Sequence, residues 1–142
     1  MIAYTDGSAN PNPGPGGFGI VVLDNDENLI TTHQEQEQNT TNNRMELKAI
    51  LWAVLFCSNK DENLVIYSDS AHCINTITNW MYSWEKRGWL KSDNQPPENL
   101  DIIKIFFNLN NIGYKYELKK VKGHSGQKWN EMADLLAAGK KV

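Results

Sequence analysis

The chain has 142 residues, 40% of them hydrophobic and 22% charged, with a formal net charge of −3. That length makes one domain over residues 1–142, burying roughly two-thirds of its unfolded surface around a single core. No apolar run approaches the roughly 18 residues of a membrane span, and no basic stretch followed by an apolar one marks a secretory signal at the N-terminus. The expectation is a monomeric cytoplasmic protein with no membrane partner. Cys57 and Cys73 are isolated from each other in sequence and read as two buried free thiols in a reducing compartment. The net charge hides an asymmetry: residues 1–70 hold 3 basic and 10 acidic side chains, whereas residues 71–142 hold 11 basic and 7 acidic. An acidic half concentrates cations and a basic half meets phosphate.

Ile2–Thr5 is a short apolar run ending at Asp6. Phe18–Leu23 (FGIVVL) is rich in β-branched residues and predicts a strand, and Leu29–His33 (LITTH) predicts a third, with Asp24–Asn28 (DNDEN) as the polar turn between them. The spacing suggests an antiparallel meander. The period then changes. Met45, Ala49, Trp52 and Phe56 fall on one face of a helix over Met45–Cys57, which is apolar almost all round after Lys48 and is expected to be buried between layers. Leu64–Tyr67 predicts a strand ending in Ser68-Asp69-Ser70, and residues 71–79 predict a helix that continues into the aromatic and basic segment NWMYSWEKRGW. Pro96-Pro97 breaks the chain before a helix over Leu100–Leu109. Tyr114–Val121 alternates as a strand, Lys122–Gly126 is a loop, and a last helix runs from about Gln127 to Ala138. The order βββ-α-β-α-α-β-α is an α/β (α+β mixed) layout with no internal repeat.

One textual motif misleads. Gly14–Gly19 (GPGGFG) spells the G-x-G-x-x-G of dinucleotide-binding loops. That motif requires a following helix, whose N-terminal N–H groups face the pyrophosphate. Here the glycines lead into the strand Gly19-Ile20-Val21-Val22, and Pro11, Pro13 and Pro15 remove N–H donors from the segment. The stretch reads as a stiff strand-to-strand connection, with no organic cofactor.

Four acids sit where a solvated charge is not the obvious explanation. Asp6 and Asp69 end strands that would lie side by side; Glu46 shares a helix face with Ile50, Ala53 and Cys57; Asp134 lies on the last helix, one turn after Asn130. Each has a plainer role open to it. Asn43 and Glu46 have capping-box spacing, Asp69 or Ser70 suits an N-cap, Asp6 fits an Asx-turn, and Asp134 fits an exposed helix. Convergent carboxylates, however, repel each other unless a cation cancels their charge. Hard divalent ions prefer carboxylate oxygens, and two of them about 4 Å apart hold an attacking water and a leaving oxygen on one phosphodiester.

The blocks TDGS…NPGPGGFG, TTNNRMEL, YSDS, WEKRGW, VKGHSG and NEMAD, in this order and spacing, resemble type 1 ribonuclease H over essentially the whole chain. The resemblance is to the compact single-domain form, with no separate hybrid-binding domain. It implies the ribonuclease H-like fold, a five-stranded mixed sheet flanked by helices on both faces. It also implies endonucleolytic hydrolysis of the RNA strand of an RNA–DNA hybrid duplex, leaving 3′-hydroxyl and 5′-phosphate ends. By motif position, Asp6, Glu46, Asp69 and Asp134 match the carboxylates that bind two Mg²⁺ ions (Mn²⁺ also serving), and His124 matches a mobile-loop histidine suited to proton relay or product release.

Similarity extends the expectation to substrate. Asn12, Asn42 and Asn43 match groove contacts near the RNA 2′-hydroxyls, and Thr41 with Asn99 matches a pocket for a DNA-strand phosphate. Trp80 matches an aromatic against deoxyribose, and Trp84, Lys86, Arg87, Trp89 and Lys91 match a basic handle on the DNA strand. Taken alone, the tryptophans read as core packing. Glu85 and the lysine-poor stretch SDNQPPEN depart from a more basic handle, and Ala71 stands where some relatives place a longer polar side chain. Two other readings stay open: a hybrid-binding module that has lost catalysis, which needs one of the four acids missing, and another nuclease of the superfamily, which needs a different helix in place of TTNNRMEL.

Overall fold

A computed structural model describes residues 1–57, 63–121 and 127–142. Five strands form one mixed sheet in the order β3-β2-β1-β4-β5. They are β1 (Ile2–Ala9), β2 (Gly14–Leu23), β3 (Leu29–Thr40), β4 (Val65–Ser68) and β5 (Glu117–Lys120). The first three are the expected antiparallel meander, and β4 and β5 join on the other side of β1 in parallel. The helical segments are α1 (Asn42–Cys57), α2 (Ala71–Asn75), a π-helical turn (Thr76–Trp80), α3 (Met81–Lys86), α4 (Leu100–Asn111) and α5 (Lys128–Ala137).

Period-2 alternation along β2 divides the core. Phe18, Ile20 and Val22 join Ala3 and the buried side of α1 in the larger cluster, which α4 and the π-helical turn complete. Val21 and Leu23 join Tyr4 and the α5 residues Ala133 and Leu136 on the opposite face. The sheet is thus covered on both faces, with β1 at its centre.

Three expectations need correction. Asp6 does not end β1: the strand runs on to Ala9, and Asp6 pairs with Gly19 in mid-strand. Gly7 permits this, because a Cβ there would collide with the backbone of Met45 and Glu46 at the start of α1. The glycines of GPGGFG are not a turn but the first part of β2, and the connection is Asn10–Pro13. At Gly19 a Cβ would stand 2.7 Å from the Ala133 carbonyl oxygen, so the bare backbone lets α5 lie against the sheet. Finally, α1 is only partly sandwiched: Met45, Ala49, Ile50, Ala53, Val54 and Cys57 are buried, Trp52 and Phe56 are half-buried, and Leu55 is 49% exposed.

Candidate active site

The parallel register Tyr4↔Tyr67 between β1 and β4, continued two residues, sets Asp6 beside Asp69 just past the end of β4. Glu46, on the second turn of α1, reaches the same point from the other layer and is only 6% exposed. Ligand atoms of Asp6, Glu46 and Asp69 all lie within 4.8 Å of one another. Asp134 is exposed on α5, and its carboxyl shares a hydrogen bond with Asp6. The four acids therefore meet, three as a tight set and Asp134 against one member of it.

The simpler roles are taken by neighbours. Thr41, not Asn43, caps α1, its Oγ1 accepting from Arg44 N at 3.2 Å, so Glu46 closes no capping box. Ser70 caps α2 by accepting from Cys73 N at 3.1 Å, which leaves Asp69 to the cluster. Ser68 Oγ donates to Glu46 Oε2 at 3.5 Å from a fully buried position, a supporting contact that nothing in the sequence pattern singled out.

Crowding sets the electrostatics. Burial, the hydrogen bond with Asp134 and the Asp69 charge push the Asp6 carboxyl up to about 7. Burial first, then the charges of Asp6 and Asp69, raise Glu46 well above the usual carboxylate range. A set of hard oxygen donors held together at this energetic cost fits a divalent cation, which removes the repulsion on binding.

Around the cluster run the residues expected to meet substrate. Asn12 Oδ1 accepts from Asn42 N at 3.1 Å, and Asn42 Oδ1 accepts from Ala9 N at 2.6 Å, so the β1–β2 connection and the start of α1 brace each other. Asn43, His72, Trp80, Trp84, Lys91 and Asn99 line one cleft. Trp80 stands edge-on to His72 with centroids 5.3 Å apart and tilted to Trp84 at 6.2 Å. The π-helical turn that carries Trp80 closes with Met81 N donating to Thr76 O, five residues back.

Thr41 and Asn99 line a second depression with Thr40 and Arg44. Arg44 was missed by sequence reasoning, although its place in TTNNRMEL was the available signal. Its guanidinium donates twice to Asp101, at 3.0 and 2.8 Å, and once to Asn99 at 3.3 Å, tying the start of α1 to the start of α4. Among the handle residues, Trp84 and Trp89 pack on the larger core, Trp89 edge-on to Phe107 at 5.2 Å. Lys86 and Arg87 are exposed. His124 lies outside the described residues.

A family model described as RNase H matches residues 1–141. The chain belongs to the RNase H family. It is 39% identical to the Ribonuclease H of Syntrophomonas wolfei over 142 residues, covering 96% of this chain and 92% of that protein. It is 41% identical to the Ribonuclease H of Alcanivorax borkumensis over 140 residues, covering 96% and 88%. Among solved structures, LC11-RNase H1 in complex with an RNA/DNA hybrid superimposes with a TM-score of 0.70 at 22% identity, covering 98% of this chain and 94% of that one. That likeness bears on the fold, which is the RNase H-like α/β fold. RNase H proteins are metal-dependent, and among the described residues of this member Asp6, Glu46 and Asp69 form a group that could hold a metal ion. No helix among the described residues is long and apolar enough to cross a membrane.

Proposed function

We propose that this chain is a ribonuclease H that cleaves the RNA strand of RNA–DNA hybrids endonucleolytically, with Mg²⁺ held by Asp6, Glu46, Asp69 and Asp134. The observation that carries the reading is the convergence of these acids from β1, α1, the end of β4 and α5 in a chain of the RNase H family. Bound Mg²⁺, in a pair, supplies the positive charge that orients an attacking water and stabilises a leaving oxygen on one phosphodiester. The chain's own residues do the rest. Ser68 and the burial of Glu46 fix one carboxylate, while the mid-strand position of Asp6 leaves its side chain no freedom beyond its rotamer. His124, in KGHSG, takes the proton-relay or product-release role.

Hybrid recognition is assigned to two surfaces. Asn12, Asn42 and Asn43 face the RNA minor-groove edge, where the 2′-hydroxyl marks RNA. Trp80 meets deoxyribose, Thr41 and Asn99 hold a DNA-strand phosphate, and Trp84, Lys86, Arg87, Trp89 and Lys91 extend the DNA-strand grip. The two free buried cysteines suit a reducing cytoplasm, and residues 1–142 act as one catalytic domain and a monomer. Four acids in place favour catalysis over a binding-only module.

The deciding experiment incubates end-labelled RNA–DNA hybrid, duplex RNA and duplex DNA with the protein, each with Mg²⁺ or chelator. Cleavage restricted to the RNA of the hybrid and lost with chelator is the expected result. Cutting of duplex DNA, or hybrid cleavage in chelator, overturns the proposal.

A further inference from the structure

Asp134 is the one acid of the cluster carried by α5, and its place depends on how that helix is set on the sheet. Ala133, Leu136 and Ala137 bury the inner side of α5. Apolar contact fixes depth but is non-directional, and a slip of one residue along the helix turns Asp134 by about 100°. Hydrogen bonds supply the missing direction, and here they come from the opposite edge of the meander. Gln36 Nε2 donates to Ala137 O at 3.1 Å. Gln34 Nε2 lies 3.5 Å from Leu136 O and 3.4 Å from Lys140 O.

Leu136 O and Ala137 O lie in the last turn of α5 and Lys140 O just beyond it; Leu136 O also accepts from Gly139 N at 3.0 Å, and no basic side chain stands in the last turn to serve the helix end. Gln34 and Gln36 lie two apart on β3, so they share a face, and they sit across from Gly19 and Gly17 of β2. Those glycines leave that face bare beneath α5, and a Cβ at Gly17 would collide with the Gln36 amide. Among the described residues at the start of α5, Gln127 makes no side-chain cap bond.

We propose that Gln34 and Gln36 are positioning residues, a two-amide clamp from the edge strand that fixes the register of α5 and so holds Asp134 beside Asp6. The inference rests on the reading of Asp134 as a metal ligand, and the test separates the two. Mn²⁺ binding to the full chain is followed by electron paramagnetic resonance for Gln36→Leu and for Gln34→Leu with Gln36→Leu. Each is made with Asp134 intact and in the Asp134→Asn background, and circular dichroism monitors folding.

With Asp134 present, Mn²⁺ affinity falls by roughly threefold to tenfold, the size of one hydrogen bond's contribution. In the Asp134→Asn background the same changes leave it unaltered, the non-additivity expected of residues acting through one another. Gln36→Lys, which restores a donor to the helix end, keeps the native affinity. Equal losses in both backgrounds, no loss with Asp134 intact, or a Gln36→Lys protein as weak as Gln36→Leu overturns the clamp. If Asp134→Asn alone leaves Mn²⁺ binding unchanged, it is the ligand role that fails. Should the double variant not fold, Gln36→Leu alone decides.

Discussion

Asp6 binds its proton more tightly in the folded chain than an ordinary carboxyl does, at about 7 against 3.8. Its contribution to stability is therefore full below about pH 3.8 and is lost as the pH rises through 7. In chelator, the melting temperature is expected to fall between about pH 5 and pH 8, and Mg²⁺ should recover more of it at the higher pH. Melting curves followed by circular dichroism check both statements, and a metal-free melting temperature that rises over this range contradicts them. Asp6→Asn should raise metal-free stability at about pH 8, by roughly 4 kcal/mol at most from a shift of this size, while abolishing hybrid cleavage. Asp101 behaves oppositely. The Arg44 guanidinium holds it down at about 2, so its link between α1 and α4 persists above pH 3.8 and loosens only as the pH falls toward 2. His124→Ala is expected to slow multiple turnover without eliminating it, measured with excess hybrid.

At the scale of elements, two close approaches set the site: Gly7 against α1 and Gly19 against α5. Gly19→Ala should cost about 1–3 kcal/mol, as overpacking does, and reduce cleavage further than that loss explains, because α5 carries Asp134. Denaturant titration and initial rates on one preparation separate the effects. This geometry also marks what the sequence could convey. The meander, the helix over TTNNRMEL and the inward face of Glu46 were legible because apolar periodicity and β-branched runs report burial directly. Gly14–Gly17 of β2 and Gln34–Asn39 of β3 were not, since glycine and glutamine favour no strand. They are strand because they pair with each other and admit α5, a tertiary cause. The four acids were legible through family motifs more than through spacing. Arg44, Ser68 and the β3 glutamines that bond to α5 escaped because their partners lie far away in the chain.

Across the whole molecule, the acidic first half supplies Asp6, Glu46 and Asp69, and the basic second half supplies Lys86, Arg87 and Lys91. Hybrid affinity should fall linearly on a log–log plot against salt, and Lys86→Ala with Arg87→Ala should make the slope shallower by about 1–2. A slope unchanged in that double variant, read by fluorescence anisotropy with chelator present, removes the two cations from the phosphate contacts. The arrangement on the central strand has one more effect. Because Asp6 is met by α1 from one layer and by α5 from the other, a cation at this point bridges both layers, like a rivet through the sheet. Fraying of α5 then becomes a metal-dependent event, so chelation should expose the end of the chain to proteolysis before the rest of the domain loosens.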